Sequence, residues 1–265
     1  SESSEPSEVY RLLLKDRKQE ATVEFCAKHL RHYSPLVRTW AARRLGEMND
    51  STAITALTEA SKHHDARVRR AAFDGISGYD NWSRPIKGRI DPSVVSEKFL
   101  TAILKTLNDP DSAWWEIDGA LFALGQARPE DIRKELPLLE KFTRHDDWYL
   151  REAAFWGIVG LHRTISGEEF QLLSHVYAQS KHVFERASFD SGFRTILKND
   201  KVAFDRATMV ASIKQLGQTT HRPGVMLGYG TGGVHEAAHR TMMILKHFDP
   251  DVYSLMIGDF VIYLE

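Results

Sequence analysis

The segment from Asp147 to Leu161, DWYLREAAFWGIVGL, decides the fold of this chain. Leu150 and Ala154 are four residues apart, so they lie on one face of a helix, where a small side chain lets a neighbouring helix approach closely. Asp147, directly before the apolar run, is of a type that often caps a helix N-terminus. The segment therefore predicts a helix that begins near Asp147 and packs closely against another helix.

The same pattern, a large apolar residue followed four positions later by a small one, recurs along the chain. Two copies also carry an arginine directly after the apolar residue, in SPLVRTWAARRLGEM over 34–48 and in DARVRRAAFDGI over 65–76. A second amphipathic segment follows these helices, and one helix pair cannot bury its apolar face alone, so the pairs must stack. The repeats predict an all-α solenoid. Three further copies are Trp115 with Gly119, Val183 with Ala187, and Val234 with Ala238.

The spacing of the copies predicts one solenoid domain over residues 8–265, preceded by a polar, disordered leader over 1–7. Two intervals between copies are longer than the others, which predicts inserted loops at about 78–92 and 217–233. The segment 252–262 is apolar on more than one face, whereas a terminal repeat usually presents a polar outer face. It therefore predicts either contact with another protein or a neighbouring domain, or that the sequence is part of a longer protein, and the second interpretation is favoured.

Composition narrows the classes of function. The chain has 35 Lys and Arg against 36 Asp and Glu, a net charge of -1, which disfavours a dedicated nucleic-acid-binding protein. No apolar run is long enough for a membrane helix, so we expect no membrane partner. The single cysteine, Cys26, is predicted to be a buried thiol. The sequence slightly favours the cytoplasm and leaves open that a signal peptide has been removed.

Residues 34–77 and 146–161 resemble HEAT repeats, in particular the short bacterial HEAT-like repeats that also occur in phycobilisome lyases. The resemblance extends over most of residues 34–265. It implies a right-handed superhelix of about six to seven stacked antiparallel helix pairs. HEAT repeats typically bind proteins, so the resemblance implies a non-enzymatic protein-binding scaffold, one module of a larger protein, without a cofactor.

The first inserted loop combines aromatic and cationic side chains that suit an acidic partner. Because loops on repeat scaffolds often carry function, we predict that this loop contacts the partner. The alternative is that its tryptophan packs down on the solenoid. The predicted contact residues are Trp82, Arg84, Lys87 and Arg89.

The second inserted loop contains GYGTGG over 228–233, which matches G-x-G-x-x-G. A dinucleotide site needs a strand before this motif, whereas residues 202–216 have a helical pattern. Glycine-rich backbone ahead of a helix can still bind an anion. We predict a ligand or partner contact at His221, Arg222 and Tyr229, with a plain linker as the alternative.

The segment HEAAH places His235 and His239 four residues apart with Glu236 between them, as in zinc proteases. It also overlays the repeat pattern, so that His235 corresponds to Arg151 and His239 to Phe155. The segment resembles one element of the HEAT-fold hydroxylases that hold two irons, but that family needs four His-Glu pairs and this chain has one. We therefore predict no metal, and keep a metal-dependent enzyme as the third interpretation.

The second interpretation is a DNA-lesion glycosylase. Trp114, Asp118 and Arg151, within WWEID and YLRE, resemble the Trp, Asp and Arg with which HEAT-like alkylpurine glycosylases hold damaged DNA. The Trp–Asp region is one residue shorter than in that family, and a second tryptophan of the family aligns near Asp190. We retain the three residues as candidate binding residues, without a catalytic role.

Overall fold

The computed structural model describes residues 22–48, 50–77, 90–180 and 183–197, all of which are helical or connect helices, with no strand among them. The helices of these ranges are α1 (Val23–His29), α2 (Pro35–Met48), α3 (Ser51–Ala60), α4 (Ala66–Ser77), α5 (Pro92–Lys98), α6 (Leu100–Asn108), α7 (Trp114–Leu124), α8 (Pro129–Lys134), α9 (Leu136–Thr143), α10 (Trp148–Val159), α11 (Gly167–Gln179) and α12 (Val183–Leu197). The helices that carry the repeated sequence pattern are α2, α4, α7, α10 and α12, and are called the pattern helices below.

The chain divides into two compact units, Ser1–Asp131 and Ile132–Glu265. In the first unit, α2 packs on α4 and α4 packs on α7, so the pattern helices form one layer. The helices α1 and α3 contact each other and also α2, and α6 packs on α7. In the second unit, α10 packs on α9, α11 and α12.

Helix starts follow from local side-chain chemistry. The carboxylate of Asp50 accepts two backbone N–H groups in the first turn of α3, at 2.8 and 2.9 Å. Ser166 and Glu169 form a reciprocal capping box at the start of α11. Asp91 caps α5 and is followed by Pro92, whose fixed φ suits the first helical position. These bonds satisfy N–H groups that a helix start leaves without partners.

The pattern helices approach one another through small residues, as the repeat predicts. A Cβ atom on Gly46 would lie 2.3 Å from the carbonyl oxygen of Gly75, so the backbones of α2 and α4 touch near their C-terminal ends. The two helices therefore run side by side in the same direction. The predicted small positions are all buried, which confirms the register of four copies: Ala41, Ala72, Gly119 and Ala154.

An aromatic cluster forms the core of the second unit. The rings of Phe155 and Phe189 stack with centroids 4.0 Å apart. Phe193 packs edge-on against Phe155, Phe170 and Tyr177, with centroids 5.6, 5.5 and 5.7 Å apart. All five rings are buried. The cluster joins α10, α11 and α12 through favourable edge-to-face and offset contacts.

The prediction of an all-α solenoid is confirmed. The handedness, the number of pairs, the single domain over 8–265 and the leader over 1–7 stay predictions, because they depend on residues outside the described ranges. The loop at 217–233 and most of the loop at 78–92 also lie outside those ranges. Cys26 is buried, as predicted. Among the described helices, none has the length and apolar character needed to cross a membrane.

Candidate functional site

A histidine shapes the turn before three of the pattern helices. The Nδ1 atoms of His32, His63 and His145 each accept the backbone N–H of the residue two positions later, at 3.1, 3.1 and 3.0 Å. A ring nitrogen that accepts a hydrogen bond carries no proton. Burial, and then the neighbouring charges of His64 and Arg31, lowers the pKa of His63 in agreement with this role.

An arginine six residues after each histidine closes the same turn. Nη1 of Arg38, Arg69 and Arg151 donates to two successive carbonyl oxygens, those of the histidine and of the next residue, at 2.6 to 2.9 Å. These bonds satisfy carbonyl groups in a turn that has no helix partner for them. The shared sequence is a histidine, any residue, Ser or Asp, three residues, and then the arginine.

Two of these arginines also reach the next pattern helix. Arg69 Nε donates to Oε1 of Glu116 at 2.5 Å, and Arg151 Nε donates to Oε1 of Glu185 at 2.7 Å. Both glutamate side chains are 1% exposed. Buried carboxylates of this kind require a paired cation, so the two ion pairs link consecutive repeats.

The ion pair between Arg151 and Glu185 corrects one detail of the predicted register. Glu116 directly follows the large residue of its copy, whereas Glu185 lies two residues after Val183. The contacts of Glu185 with Arg151 and of Phe189 with Phe155 therefore place α12 one residue later than the predicted pair of Val183 with Ala187. The physical reason is that the buried charge and the stacked ring together determine which face of α12 meets α10.

A further arginine joins α4 to α7. Arg70 Nε lies 2.7 Å from Oδ1 of Asp74, and Nη1 lies 2.8 Å from Oδ2 of Asp118. Nη1 also donates to the Trp115 carbonyl. Burial opposes the charge of Arg70, but Asp74 and Asp118 outweigh it and raise its pKa. A Cβ atom on Gly119 would lie 2.5 Å from Cδ of Arg70, so the glycine makes room for this side chain.

The predicted residues Asp118 and Arg151 thus take part in intramolecular ion pairs, with Arg70 and with Glu185. Burial raises the pKa of Asp118, and Arg70 acts against that shift. Trp114 is the first residue of α7 and is 50% exposed. Trp114 and Asp118 belong to the first unit and Arg151 to the second. These positions give the glycosylase interpretation no support.

The remaining predicted site residues lie outside the described ranges, and their roles stay predictions. In the part of the chain that the structure describes, no group of three or more His, Cys, Asp and Glu side chains is arranged to hold a metal ion. The residues outside are Trp82, Arg84, Lys87, Arg89, His221, Arg222, Tyr229, His235 and His239.

Three large apolar side chains are exposed among the described residues: Tyr33 at 49%, Trp114 at 50% and Tyr149 at 44%. Each lies at the N-terminal end of a pattern helix, two residues before α2, at the first residue of α7 and at the second residue of α10. We call them the N-terminal aromatics. The Tyr149 ring stacks on Trp148 with centroids 3.9 Å apart. Sequence reasoning missed Tyr33 and Tyr149, although Tyr149 directly precedes Leu150 as Trp114 precedes Trp115.

Comparisons with known proteins agree with this architecture. Residues 7–77 match the family model of HEAT repeats. No curated protein matches the chain. An engineered protein aligns with a TM-score of 0.51 and 16% identity, over 86% of this chain and 99% of its own. A designed armadillo repeat protein aligns with a TM-score of 0.50 and 14% identity, over 84% of this chain and 100% of its own.

The complex of CpcE and CpcF of phycocyanin lyase from a Nostoc species aligns with a TM-score of 0.47 and 17% identity, over 93% of this chain and 91% of that one. At these identities the likeness concerns the fold alone. Together with the buried repeat positions, the match of residues 7–77 to the model of HEAT repeats and the two alignments with TM-scores of 0.50 and 0.51 lead to one conclusion. The chain is a helical-repeat protein with an α-solenoid fold.

Proposed function

We propose that the chain is a non-enzymatic scaffold module that binds another protein through the N-terminal ends of its pattern helices. The main support for this proposal is the position of the N-terminal aromatics. Tyr33, Trp114 and Tyr149 are the large apolar side chains that the described residues leave exposed, and all three lie at one kind of helix end.

Aromatic residues of this kind suit protein recognition. Tyrosine and tryptophan are enriched among the residues that contribute most to binding, because they bury a large area and lose little conformational entropy. In the first unit, the Arg69–Glu116 bond joins the first turns of α4 and α7, and α2 runs parallel to α4. Tyr33 and Trp114 therefore lie at the same end of the helix layer.

The charged residues of the pattern helices support a scaffold in a second way. Arg69, Arg70 and Arg151 bind carboxylates of neighbouring helices and carbonyl groups of turns. Such side chains hold the repeats together and are not available as a general acid, a general base or a nucleophile. We therefore assign them to the scaffold and the exposed aromatics to recognition.

The experiment selects a ligand and then maps its site. The full chain is immobilised, peptides are selected from a displayed random library, and the dissociation constant of the best peptide is measured by fluorescence anisotropy. We expect at least one of Tyr33→Ala, Trp114→Ala and Tyr149→Ala to weaken binding about tenfold or more, the loss typical of a central aromatic contact.

The control is Glu168→Ala, which changes an exposed residue in the first turn of α11, outside the pattern helices. Circular dichroism shows whether each variant keeps the helical content of the wild type. Equal affinity of the three aromatic variants and the wild type for every selected peptide would refute the proposed surface. Release of an alkylated base from DNA by the wild type would refute the non-enzymatic assignment.

A further inference from the structure

Arg38 holds its turn as the other two arginines do. Its side chain is buried, with the residue 7% exposed, and Nη1 donates to the carbonyl oxygens of His32 and Tyr33 at 2.6 and 2.7 Å. Arg69 and Arg151 make the corresponding pairs of bonds at 2.7 to 2.9 Å. The three guanidinium groups therefore occupy equivalent places in their repeats.

Arg38 differs from Arg69 and Arg151 in the contacts of the other edge of its guanidinium group. Arg69 and Arg151 use Nε to bind Glu116 and Glu185 of the next pattern helix. The next pattern helix after Arg38 is α4, and the residue of α4 that corresponds to Glu116 is Arg69 itself. Arg38 has no ion pair and no hydrogen bond from Nε or Nη2 to any described residue. These two nitrogens are not sealed from solvent.

Among the described residues, no carboxylate is bound to Nε or Nη2 of Arg38. The nearby carboxylate of Asp65 is bound in fork-to-fork geometry by Arg67, with Nε–Oδ1 at 3.0 Å and Nη2–Oδ2 at 2.7 Å. This hydrogen bonding lowers the pKa of Asp65 to about 2. Burial, and then the charge of Arg67, lowers the pKa of Arg38, and the charge of Asp65 only partly opposes that shift. Neither α2 nor α4 has an acidic residue in its first turn.

We infer that the Nε and Nη2 edge of Arg38 binds the carboxylate of an acidic side chain of the partner protein. The carboxylate would supply to Arg38 the negative charge that Glu116 and Glu185 supply to Arg69 and Arg151. Arginine and carboxylate favour two parallel hydrogen bonds, which gives such a contact both strength and direction. The inference rests on the proposed function, because it names the chemistry of the partner.

The geometry also connects this site to the proposed surface. The carbonyl of Tyr33 accepts a hydrogen bond from Arg38, and Tyr33 is 49% exposed. A peptide segment that covers the Tyr33 ring can therefore present an acidic side chain to Arg38. The expected recognition element is an acidic residue next to an apolar one.

The test observes the Nε–Hε groups of arginine in the 15N-labelled full chain by NMR. The probe is the acetylated, amidated tetraglutamate peptide, and the matching tetralysine peptide is the negative control. We expect the Arg38 signal to shift saturably with tetraglutamate, while the signals of Arg69 and Arg151 stay unchanged because their Nε–H groups already bind glutamates. An unmoved Arg38 signal, or equal shifts of all three, would overturn the inference.

The variant Arg38→Lys keeps the charge and loses the forked geometry, so we expect it to weaken tetraglutamate binding by about tenfold or more. Arg144→Lys, at an exposed arginine of the second unit, is the matched control. If Arg38→Lys does not fold, the wild-type titration still decides the question. Tighter binding of inorganic phosphate than of tetraglutamate would contradict the assignment to a carboxylate.

This titration does not use a selected peptide. An unmoved Arg38 signal would therefore contradict the inference without contradicting the proposed aromatic surface. If the aromatic variants bind the selected peptides as the wild type does, the Arg38 titration still tests the inference separately.

Discussion

Arg151 on α10 donates from Nε to the buried Oε1 of Glu185 on α12 at 2.7 Å, while its Nη1 holds the turn that begins at His145. One guanidinium thus closes the turn before its own helix and binds the next pattern helix. Arg69 does the same with the His63 turn and Glu116. The repeated arginine is therefore the residue that couples local turn geometry to the stacking of repeats.

Removal of the buried glutamate should be costly. Glu185→Ala leaves the Arg151 guanidinium without its carboxylate, and loss of one partner of a buried pair costs about 3 kcal/mol or more. We expect the free energy of unfolding, measured by urea denaturation, to fall by that amount. The control is Glu140→Ala, which removes the carboxylate of an exposed ion pair with Arg144 and should cost about 1 kcal/mol or less. An equal loss in the free energy of unfolding for the two variants would show that the Arg151–Glu185 ion pair does not stabilise the fold.

Gly75→Ala should destabilise the chain, although alanine is ordinarily the better helix residue. The added Cβ would lie 2.6 Å from the backbone carbonyl oxygen of Ala42 and 2.9 Å from Cδ2 of Leu57. Because the first of these atoms is backbone, relief requires α2 and α4 to separate, at a cost of about 1 to 3 kcal/mol. Gly167→Ala, at the partly exposed start of α11, is the control and should change stability by less than about 0.5 kcal/mol. A stabilised Gly75→Ala variant would contradict the contact between the two helices.

Acid should weaken the turn before α4. Hydrogen bonds from Arg67 lower the pKa of Asp65 from 3.8 to about 2, so the folded chain binds the proton less tightly than the unfolded chain. The stabilisation is therefore complete above the unfolded pKa and is lost as the pH falls from about 4 towards 2. We expect the free energy of unfolding to fall less over this range in Asp65→Asn than in the wild type. Arg67→Gln removes the same pair and should behave alike; an unchanged acid response in both variants would count against it.

The first inserted loop remains a predicted contact. We expect Trp82→Ala to weaken binding of a selected peptide without a change in the midpoint of urea denaturation, because a loop tryptophan that serves recognition contributes little to the core. The measurements are fluorescence anisotropy and urea denaturation on the same samples. A loss of several kcal/mol in stability would instead show that Trp82 packs on the solenoid.

The HEAAH segment yields a simple prediction about metal content. Because His235 and His239 fall in the repeat register, we expect the purified, tag-free chain to contain no stoichiometric metal by elemental analysis. A sample reloaded with zinc and then dialysed controls for metal lost in purification. Near-stoichiometric zinc or iron would move these residues into a metal site and favour the enzyme interpretation.

The sequence alone was sufficient for the helical repeat, because the decisive signal is local. Leu150 and Ala154 lie one helical turn apart, and both are buried as that spacing requires. The position of Cys26 followed from the same reasoning. The turn before each helix was also visible in part, since Asp147 lies at the N-cap of α10. Its side chain makes no capping bond, however, and the neighbouring His145 and Arg151 hold the turn instead.

The partners of the charged residues could not be predicted, because they are distant in sequence. Asp118 meets an arginine 48 residues away, and Arg151 meets a glutamate 34 residues away. Spacing within one helix does not say which repeats these charges join. Asp118 and Arg151 therefore stood out as candidate site residues, whereas the fold uses them to hold neighbouring helices together. Tyr33 and Tyr149 were missed because their exposure depends on the end of the helix and not on its face.

Hydrogen exchange of the full chain, measured with and without a selected peptide, would locate the binding surface. We expect slower exchange of backbone amides at the N-terminal end of at least one helix among α2, α7 and α10, around Tyr33, Trp114 or Tyr149. The segments of α3 and α6, which lie outside the pattern helices, should keep their exchange rates. Protection confined to those other helices would contradict the claim that the pattern helices present the binding surface.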